Sequence, residues 1–401
     1  MSFLHVDLNS FYASCAVVES GGAYNFDTPL MVCGDPKRRH GIVLAATYPV
    51  KRTGVRAGMP IWEALARCPN AVLVAPDFRL YMRYSDSFMR IVRRYSPLIM
   101  RYGIDEAYLD YNGCERIFGS AKDTADRIRE RVKKELGLTV SVGVGDNMLM
   151  AKMGSDYKKP DAVTEINASN WQEYIWPLPV QSLMYVGKAT AGKLRSIGVH
   201  TVGELALSSA VLLKEVFGIC GQTLWKNANG IDDTRILPGA EPQKGVSKSI
   251  TLSHNASTLP EICSALLMQT EDVAYRLRAL KMRAGVVGIH FRYPDMSGEG
   301  RQVSLATPTF VTAELYESVK TLAGILFRGR PVRQVGVRVA KLSCEPEQMP
   351  LFPSEAHERR LRLDCATDKL RDRYGADVLK RAGTLCFEHD EIDEFSPFVR
   401  V

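Results

Sequence analysis

No apolar run in this chain approaches the roughly 18 residues that a membrane-spanning helix needs. The first residues, MSFLHVDLNSFYAS, lack the basic stretch and apolar core of a secretory signal. A membrane partner and export are therefore not expected, and the expected location is the cytoplasm. Nine cysteines are present, but without a CxxC pair or a Cys/His cluster. Structural zinc and a disulfide framework are not expected either. Charge of neither sign dominates. The formal balance of +7 permits a nucleic-acid partner without demanding one. What remains is an ordinary globular composition, 46% hydrophobic and 24% charged, spread over 401 residues. That is too long for a single core, so several domains are expected.

Periodicity divides the chain. FLHVDL near the start is a short apolar strand with an acid inside it. LMVCG and GIVLAAT read as strands joined by a basic turn at Lys37–Arg39. AGMPIWEALARCPN and FRLYMRYSDSFMRIVRRYS carry apolar residues at helical spacing. Residues 99–110 read as strand, turn, strand. A helix (SAKDTADRIRERVKKELG), a strand (LTVSVGVG) and a helix ended by Pro160 follow. This mixture places the first part in the α+β class. Residues 183–206 and 216–232 contain paired helices with glycine-bearing turns. They fit helix-hairpin-helix elements that hold a DNA phosphate, and equally a small helical domain with glycine caps.

After a linker at 236–245, strands near 246–253, 284–293, 301–306 and 332–343 alternate with helices at 260–282 and 312–327. That pattern is a small sheet with helices on one face. Residues 241–345 hold 14 Lys/Arg against 9 Asp/Glu. Lys248, Arg292, Arg301, Arg333 and Arg338 lie in or beside strands, as a sheet face tracking a phosphate backbone needs. A solvated polar face fits as well. Prolines keep EPEQMPLFPS extended. Its Gln348, Met349, Leu351 and Phe352 either dock into another protein's apolar pocket or pack back on their own domain. The stretch LRLDCATDKLRDRYGADVLKRAG reads as amphipathic helix, either a partner-binding tail or a helix packed on the body.

Asp7 lies on the first strand, and Asp105 and Glu106 lie at a strand turn. If these strands are neighbours, three carboxylates converge and repel unless a cation sits among them. Oxygen ligands without His or Cys suit Mg²⁺. The alternative is that each acid caps a turn or pairs with Arg101 or Arg116. Phe11 and Tyr12 follow the strand directly; an aromatic beside a sugar excludes a 2′-hydroxyl, and a core aromatic pair fits the spacing as well. TYPVKR (47–52) and YKKP (157–160) supply cations of the kind a triphosphate wants, or a solvated charge run.

HVDLNSFYASC, ATYPVKRTGVRAGMP, YGIDEAYLD and SVGVGDNMLMAKMGSD, in this order, resemble the Y-family DNA polymerases, the translesion enzymes. The resemblance extends over residues 1–352. Asn9, where many members carry an acid, looks nearer the polymerase V type than the polymerase IV type. The fold implied is a multidomain α+β right hand. Its parts are a palm (1–10 and 76–165), small fingers (11–75), a helical thumb (166–235), an α/β little finger (243–345) and a clamp-binding peptide with a tail (346–401). The resemblance makes Asp7, Asp105 and Glu106 the catalytic carboxylates, which hold two Mg²⁺ ions together with the Leu8 carbonyl. Tyr12 becomes the sugar gate. Phe11, Tyr48, Lys51 and Lys159 become triphosphate-binding residues, and Gln348, Met349, Leu351 and Phe352 the sliding-clamp peptide.

The implied activity is template-directed addition of deoxynucleotides to a primer 3′ end, at low fidelity and past damaged bases. Primer-template DNA, deoxynucleoside triphosphates and a clamp are its partners, and the protein is a monomer. Three residues depart from the family pattern: Gly103 where serine is frequent, Met148 where lysine is, and Tyr185 where the first glycine of the thumb hairpin stands. They leave room for a second reading, a catalytically weak accessory that binds DNA and clamp. A repair glycosylase with helix-hairpin-helix elements gives Asp7 and the sugar gate no role.

Overall fold

The computed structural model describes residues 2–35, 41–237, 239, 243–344, 355–375 and 378–384. The expected basic turn at Lys37–Arg39 and the expected clamp peptide (Gln348, Met349, Leu351, Phe352) lie outside the described residues. The chain divides near residue 240 into two compact units. Among the described residues no helix is long and apolar enough to cross a membrane.

In the first unit the elements run β1 (Phe3–Leu8), α1 (Phe11–Val18), β2 (Leu30–Cys33), β3 (Val43–Ala46), α2 (Tyr48–Arg52), α3 (Ile61–Arg67), β4 (Val72–Val74) and α4 (Phe78–Val92). They continue with β5 (Leu98–Arg101), β6 (Glu106–Asp110), α5 (Glu115–Phe118), α6 (Ala121–Leu136), β7 (Val140–Gly145), α7 (Met148–Tyr157) and β8 (Val163–Ile166). Five strands form one sheet in the order β5-β6-β1-β7-β8, and β3-β2-β4 form a smaller one. This mixture agrees with the α+β expectation.

Alternation along β1 sorts its residues. Leu4, Val6 and Leu8 enter the main core with α1, α4 and α6, while Phe3 packs against Met148 and Ala151 of α7. Helix starts follow the side chains that cap them: Asp77 accepts from Leu80 N, Ser120 from Asp123 N and Asn147 from Met150 N. The small sheet keeps its own core of Met31, Val43, Ala46, Val50, Val55, Ala64 and Cys68. α1 instead buries its apolar face in the main core.

Helix α7 lies unusually close to β7. A Cβ on Gly143 would stand 1.8 Å from the Ala151 carbonyl oxygen, and one on Gly145 would stand 2.4 Å from the Ala151 nitrogen. These glycines are therefore a requirement of helix-on-strand contact.

Helices α8 (Trp171–Ile175), α9 (Lys188–Ser196), α10 (Val202–Leu207), α11 (Ala210–Phe217) and α12 (Ile219–Ala228) complete the first unit around a separate apolar cluster. The glycine-bearing turns are present, with Gly198 and Gly218 at φ of 85° and 64°. Tyr185 also has positive φ, 70°. It holds a left-handed backbone that glycine adopts without strain. The departure from glycine thus keeps the turn and strains it.

The second unit comprises β9 (Gly245–Ala256), α13 (Leu259–Ala279), β10 (Arg283–Arg292), β11 (Gly298–Thr309), α14 (Thr312–Leu326), β12 (Val332–Ser343) and α15 (Glu355–Tyr374). The antiparallel sheet has the order β11-β10-β12-β9, and α13 and α14 share its core. The expected row of strand cations is split by the two-residue period. Arg338 pairs in register with Gly288, on the face away from Val337 and Ile289, and donates to Gln302. Lys248 stands opposite Val337 on the helix side and meets Asp272 of α13 at 2.7 Å. Arg301 is opposite Ile289, so it shares that side at the sheet edge.

Helix α15 packs on the body. The Arg278 guanidinium takes both Asp368 oxygens at 2.6 and 2.9 Å, and the buried Asp364 accepts from Thr312 N at 2.8 Å. Asp364 thereby caps α14, which its own N-cap residue Val311 cannot do with a side chain.

Gly143→Ala is expected to cost about 3 kcal/mol, since the added methyl meets helix backbone rather than a movable side chain. Gly192→Ala, in open space on α9, is expected to gain about 0.5–1 kcal/mol. Urea unfolding of the two variants checks the opposite signs. Equal effects would rule out the close approach of α7.

Candidate active site

The register of β1 decides which acids meet. Asp7 stands directly opposite Glu106 on β6 and Ser141 on β7. Opposed residues share a face, so the Asp7 and Glu106 carboxylates both turn toward α7. Asp105 is the last residue of the turn before β6. Leu8 N donates to its carbonyl at 3.0 Å, and Tyr102 N donates to the Glu106 carbonyl at 2.9 Å.

This turn explains Gly103, whose φ is 91°. A serine there would be strained. The hydroxyl that holds the turn comes from elsewhere, since Ser85 of α4 donates to the Ile104 carbonyl. Arg101 pairs with Asp86 at 2.7 Å, an exposed pair that leaves the inner acids to other partners.

A cleft of about 300 Å³ opens beside the acids. Asp7, Leu8, Asp105 and Glu106 border it at one end, and Tyr48, Lys51 and Lys159 border it as well. Leu44, Ala46, Val55 and Ala57 of the small-sheet region give it an apolar wall. Phe11 and Tyr12 also border it. The Phe11 side chain is buried in the main core. The Tyr12 ring is half-buried and stacks on Tyr81 with centroids 4.2 Å apart. Burial and nearby Asp105 raise the Tyr12 hydroxyl, so it stays protonated.

Two lysines stand among the acids. Lys159 Nζ is 2.8 Å from Asp7 Oδ2. Lys152 Nζ is 3.4 Å from the same oxygen and 3.0 Å from Glu106 Oε1. His5, fully buried, places Nδ1 2.7 Å from the Ser155 hydroxyl and Nε2 3.2 Å from Glu106 Oε2. Burial holds the ring below its ordinary pKa, hence neutral at pH 7. Glu106 can only accept, so a neutral ring that donates to it carries its proton on Nε2; Nδ1 then takes the single Ser155 hydroxyl proton in competition with the Lys152 carbonyl, 2.8 Å from the same oxygen.

Two adjacent carboxyls are thereby pushed apart. Burial, then the Asp7 and Glu106 charges, raise Asp105 to about 6. Glu106, also opposed by burial, is held below the ordinary range by the His5 hydrogen bond and Lys152. At the cationic end, burial and the Lys159 charge lower Lys51.

Among the described residues no group of three His, Cys, Asp or Glu side chains is closed around a metal position. Lysine ammoniums stand on the Asp7 and Glu106 oxygens instead. The donor set nonetheless fits a hard divalent cation: the acids supply only oxygen, and burial with the Asp7 and Glu106 charges outweighs what Lys152 does for Asp105.

Residues 6–156 match the impB/mucB/samB family and residues 243–351 match its C-terminal domain. A relative named DNA polymerase IV from Pelotomaculum thermopropionicum is 37% identical over 385 residues, covering 95% of this chain and 95% of its own length. One of the same name from Acetivibrio thermocellus is 36% identical, covering 94% and 96%. The structure of a Y-family DNA polymerase chimera of Dbh and Dpo4 superposes with a TM-score of 0.75 at 22% identity, covering 86% of this chain and 100% of the other. That likeness shows the fold. This chain belongs to the Y-family of DNA polymerases.

Its relatives carry the polymerase IV name, so the leaning toward polymerase V drawn from Asn9 finds no support. Asn9 has a local use. It donates to Ser141 and accepts from Asp161 N at 3.0 Å. Arg129 and Lys133 hold the Asp161 carboxylate. The loop carrying Lys159 is thereby pinned to the end of β1. Met148, expected to weaken the site where lysine is frequent, lies in an apolar cluster with Phe3, Tyr108 and Ile236. Sequence reasoning missed His5 and Lys152. The available signal was spacing: His5 shares the strand face of Asp7, and Lys152 precedes Asp156 by one helical turn.

Because the folded-state pKa of Asp105 lies above its ordinary value of 3.8, ionising it opposes folding. The opposition is absent below pH 4, grows toward pH 6 and is complete above. Asp105→Asn is expected to stabilise the protein by about 1–2 kcal/mol at pH 7.5 in chelator, after allowance for partial solvent screening. The gain should vanish at pH 4. Urea unfolding across that range checks it, and an unchanged or lowered stability at pH 7.5 would refute it.

Proposed function

We propose that the cleft is the polymerase centre: Asp7, Asp105, Glu106 and the Leu8 carbonyl form its metal end, and Tyr48, Lys51 and Lys159 its triphosphate end. The observation that supports this best is that the paired acids, the three cation-end residues and Tyr12 all border one cleft. The enzyme is a template-directed DNA polymerase of the translesion kind, nearer polymerase IV than polymerase V. The five-stranded sheet is its palm, the small sheet its fingers and α8 to α12 its thumb. The second unit is the little finger, followed by a clamp-binding peptide at Gln348, Met349, Leu351 and Phe352. The protein works as a monomer in the cytoplasm on primer-template DNA and deoxynucleoside triphosphates.

Two Mg²⁺ ions held there would supply activation of the primer 3′-hydroxyl and charge neutralisation at the leaving pyrophosphate. The chain's own part is to bind and orient. Lys51 and Lys159 hold phosphate oxygens as point charges. Tyr12, fixed by its stack on Tyr81, denies room to a 2′-hydroxyl. The apolar wall from the small fingers covers the nascent pair loosely, so a distorted template base is tolerated.

Primer extension with Mg²⁺ opposite an intact or abasic template position tests the reading. Asp105→Ala is expected to lower the rate on the order of 10²- to 10³-fold with DNA binding kept. Absence of extension by the parent chain, with DNA binding retained, would favour the accessory reading. Tyr12→Ala is expected to admit ribonucleotides while still adding deoxynucleotides. Unchanged ribonucleotide exclusion would remove the gate assignment.

A further inference from the structure

Asp156 has no assigned part, yet it holds both lysines of the cleft. Its Oδ2 is 3.4 Å from Lys152 Nζ and its Oδ1 is 2.8 Å from Lys159 Nζ. The same ammoniums reach inward to Asp7, and Lys152 also reaches Glu106. Each lysine therefore bridges an inner acid and one outer acid. The outer acid differs in surroundings, with its side chain 44% exposed against 9% for Asp7. It can carry charge in water whether or not a lysine is near.

An oxygen that accepts from an ammonium is not free to ligate a hard cation, so lysine and metal compete for Asp7 and Glu106. We propose that Lys152 and Lys159 are the resident counter-ions of the inner acids, and that Asp156 is the positioning residue that keeps them when a divalent cation takes those oxygens, until a triphosphate claims Lys159. Lys152 and Asp156 are one turn apart on α7, and Lys159 follows three residues later. The transfer therefore needs only side-chain rotation. The close seat of α7 on β7 sets the Lys152 stem beside the acids, and the loop after α7 brings Lys159. The exchange also sets charge. Three inner carboxylates tolerate two ammoniums, whereas two divalent ions and both ammoniums together would leave the pocket strongly positive.

The inference rests on the metal-end assignment of Asp7, Asp105 and Glu106, so its test reads cation binding without DNA or nucleotide. Calorimetric titration of the full chain with MnCl₂ serves. Lys152→Met, which removes a competitor, is expected to bind Mn²⁺ roughly threefold to tenfold more tightly. Asp156→Asn, which removes the alternative seat, is expected to bind it weaker by a similar factor. Asp156→Glu should restore binding, which a merely structural role for Asp156 does not predict. In Lys152→Met/Asp156→Asn the loss from Asp156→Asn should shrink. Unchanged affinity in both single variants overturns the inference, even where the parent chain extends primers and the polymerase reading stands. Mn²⁺ binding indifferent to Asp105→Asn places the ion outside the cleft and overturns both.

Discussion

The direct opposition of Asp7 and Glu106 on neighbouring strands is the constraint around which the first unit is arranged. Two like charges about 5 Å apart repel by about 3 kcal/mol in a partly buried setting. A sheet that places them so must bring compensation from outside the sheet. It comes from one helix: α7 supplies Lys152 and the Ser155 that orients His5, and the loop after it supplies Lys159. For α7 to reach, β7 must lack side chains on the facing side, hence Gly143 and Gly145. A glycine pattern in a strand, weak as a folding signal, is therefore tied to the electrostatics two strands away.

The rest of the unit keeps that geometry still. The apolar half of β1 is locked in the main core. The Asp105 turn is held by Ser85 and by Leu8 N, and the Lys159 loop by Asn9 and Asp161. At Tyr185, by contrast, a bulky residue holds a left-handed backbone. Strain persists there because the turn is closed by Val186 N donating to the Leu183 carbonyl and both of those residues are buried in the helical cluster. In the second unit the analogous burden falls on α15, whose Asp364 is buried between Arg278, Arg381 and the start of α14.

What was legible in the sequence was local. The strand of Asp7 and the turn of Asp105 and Glu106 show in a few residues, because alternation and a glycine mark them directly. Most helices and strands showed for the same reason. For Lys152 and His5 only the spacing was legible; their role was not, since it depends on a register and a helix seat that join β1 to α7, about 145 positions apart. Asn9 was misjudged because its partners, Ser141 and Asp161, are distant in sequence. The strand cations of the second unit were counted without regard to side, and Lys248 turned inward. The tail helix left both outcomes open until the Arg278 and Glu271 ion pairs decided for packing.

The cleft is unsatisfied in opposite senses at its two ends. Burial and neighbouring acids push the Asp105 carboxyl up, while burial and Lys159 push the Lys51 ammonium down. Lys152 and Lys159 already stand on the Asp7 and Glu106 oxygens, and both shifts persist with them there. A free cation relieves only the acids, and a free polyphosphate only the lysines. A metal–nucleotide complex carries both signs in one ligand and relieves both at once. Under the proposed assignment, metal and triphosphate therefore strengthen each other's binding through the charges already fixed in the fold. A residual mismatch left in the free protein is the form such coupling takes.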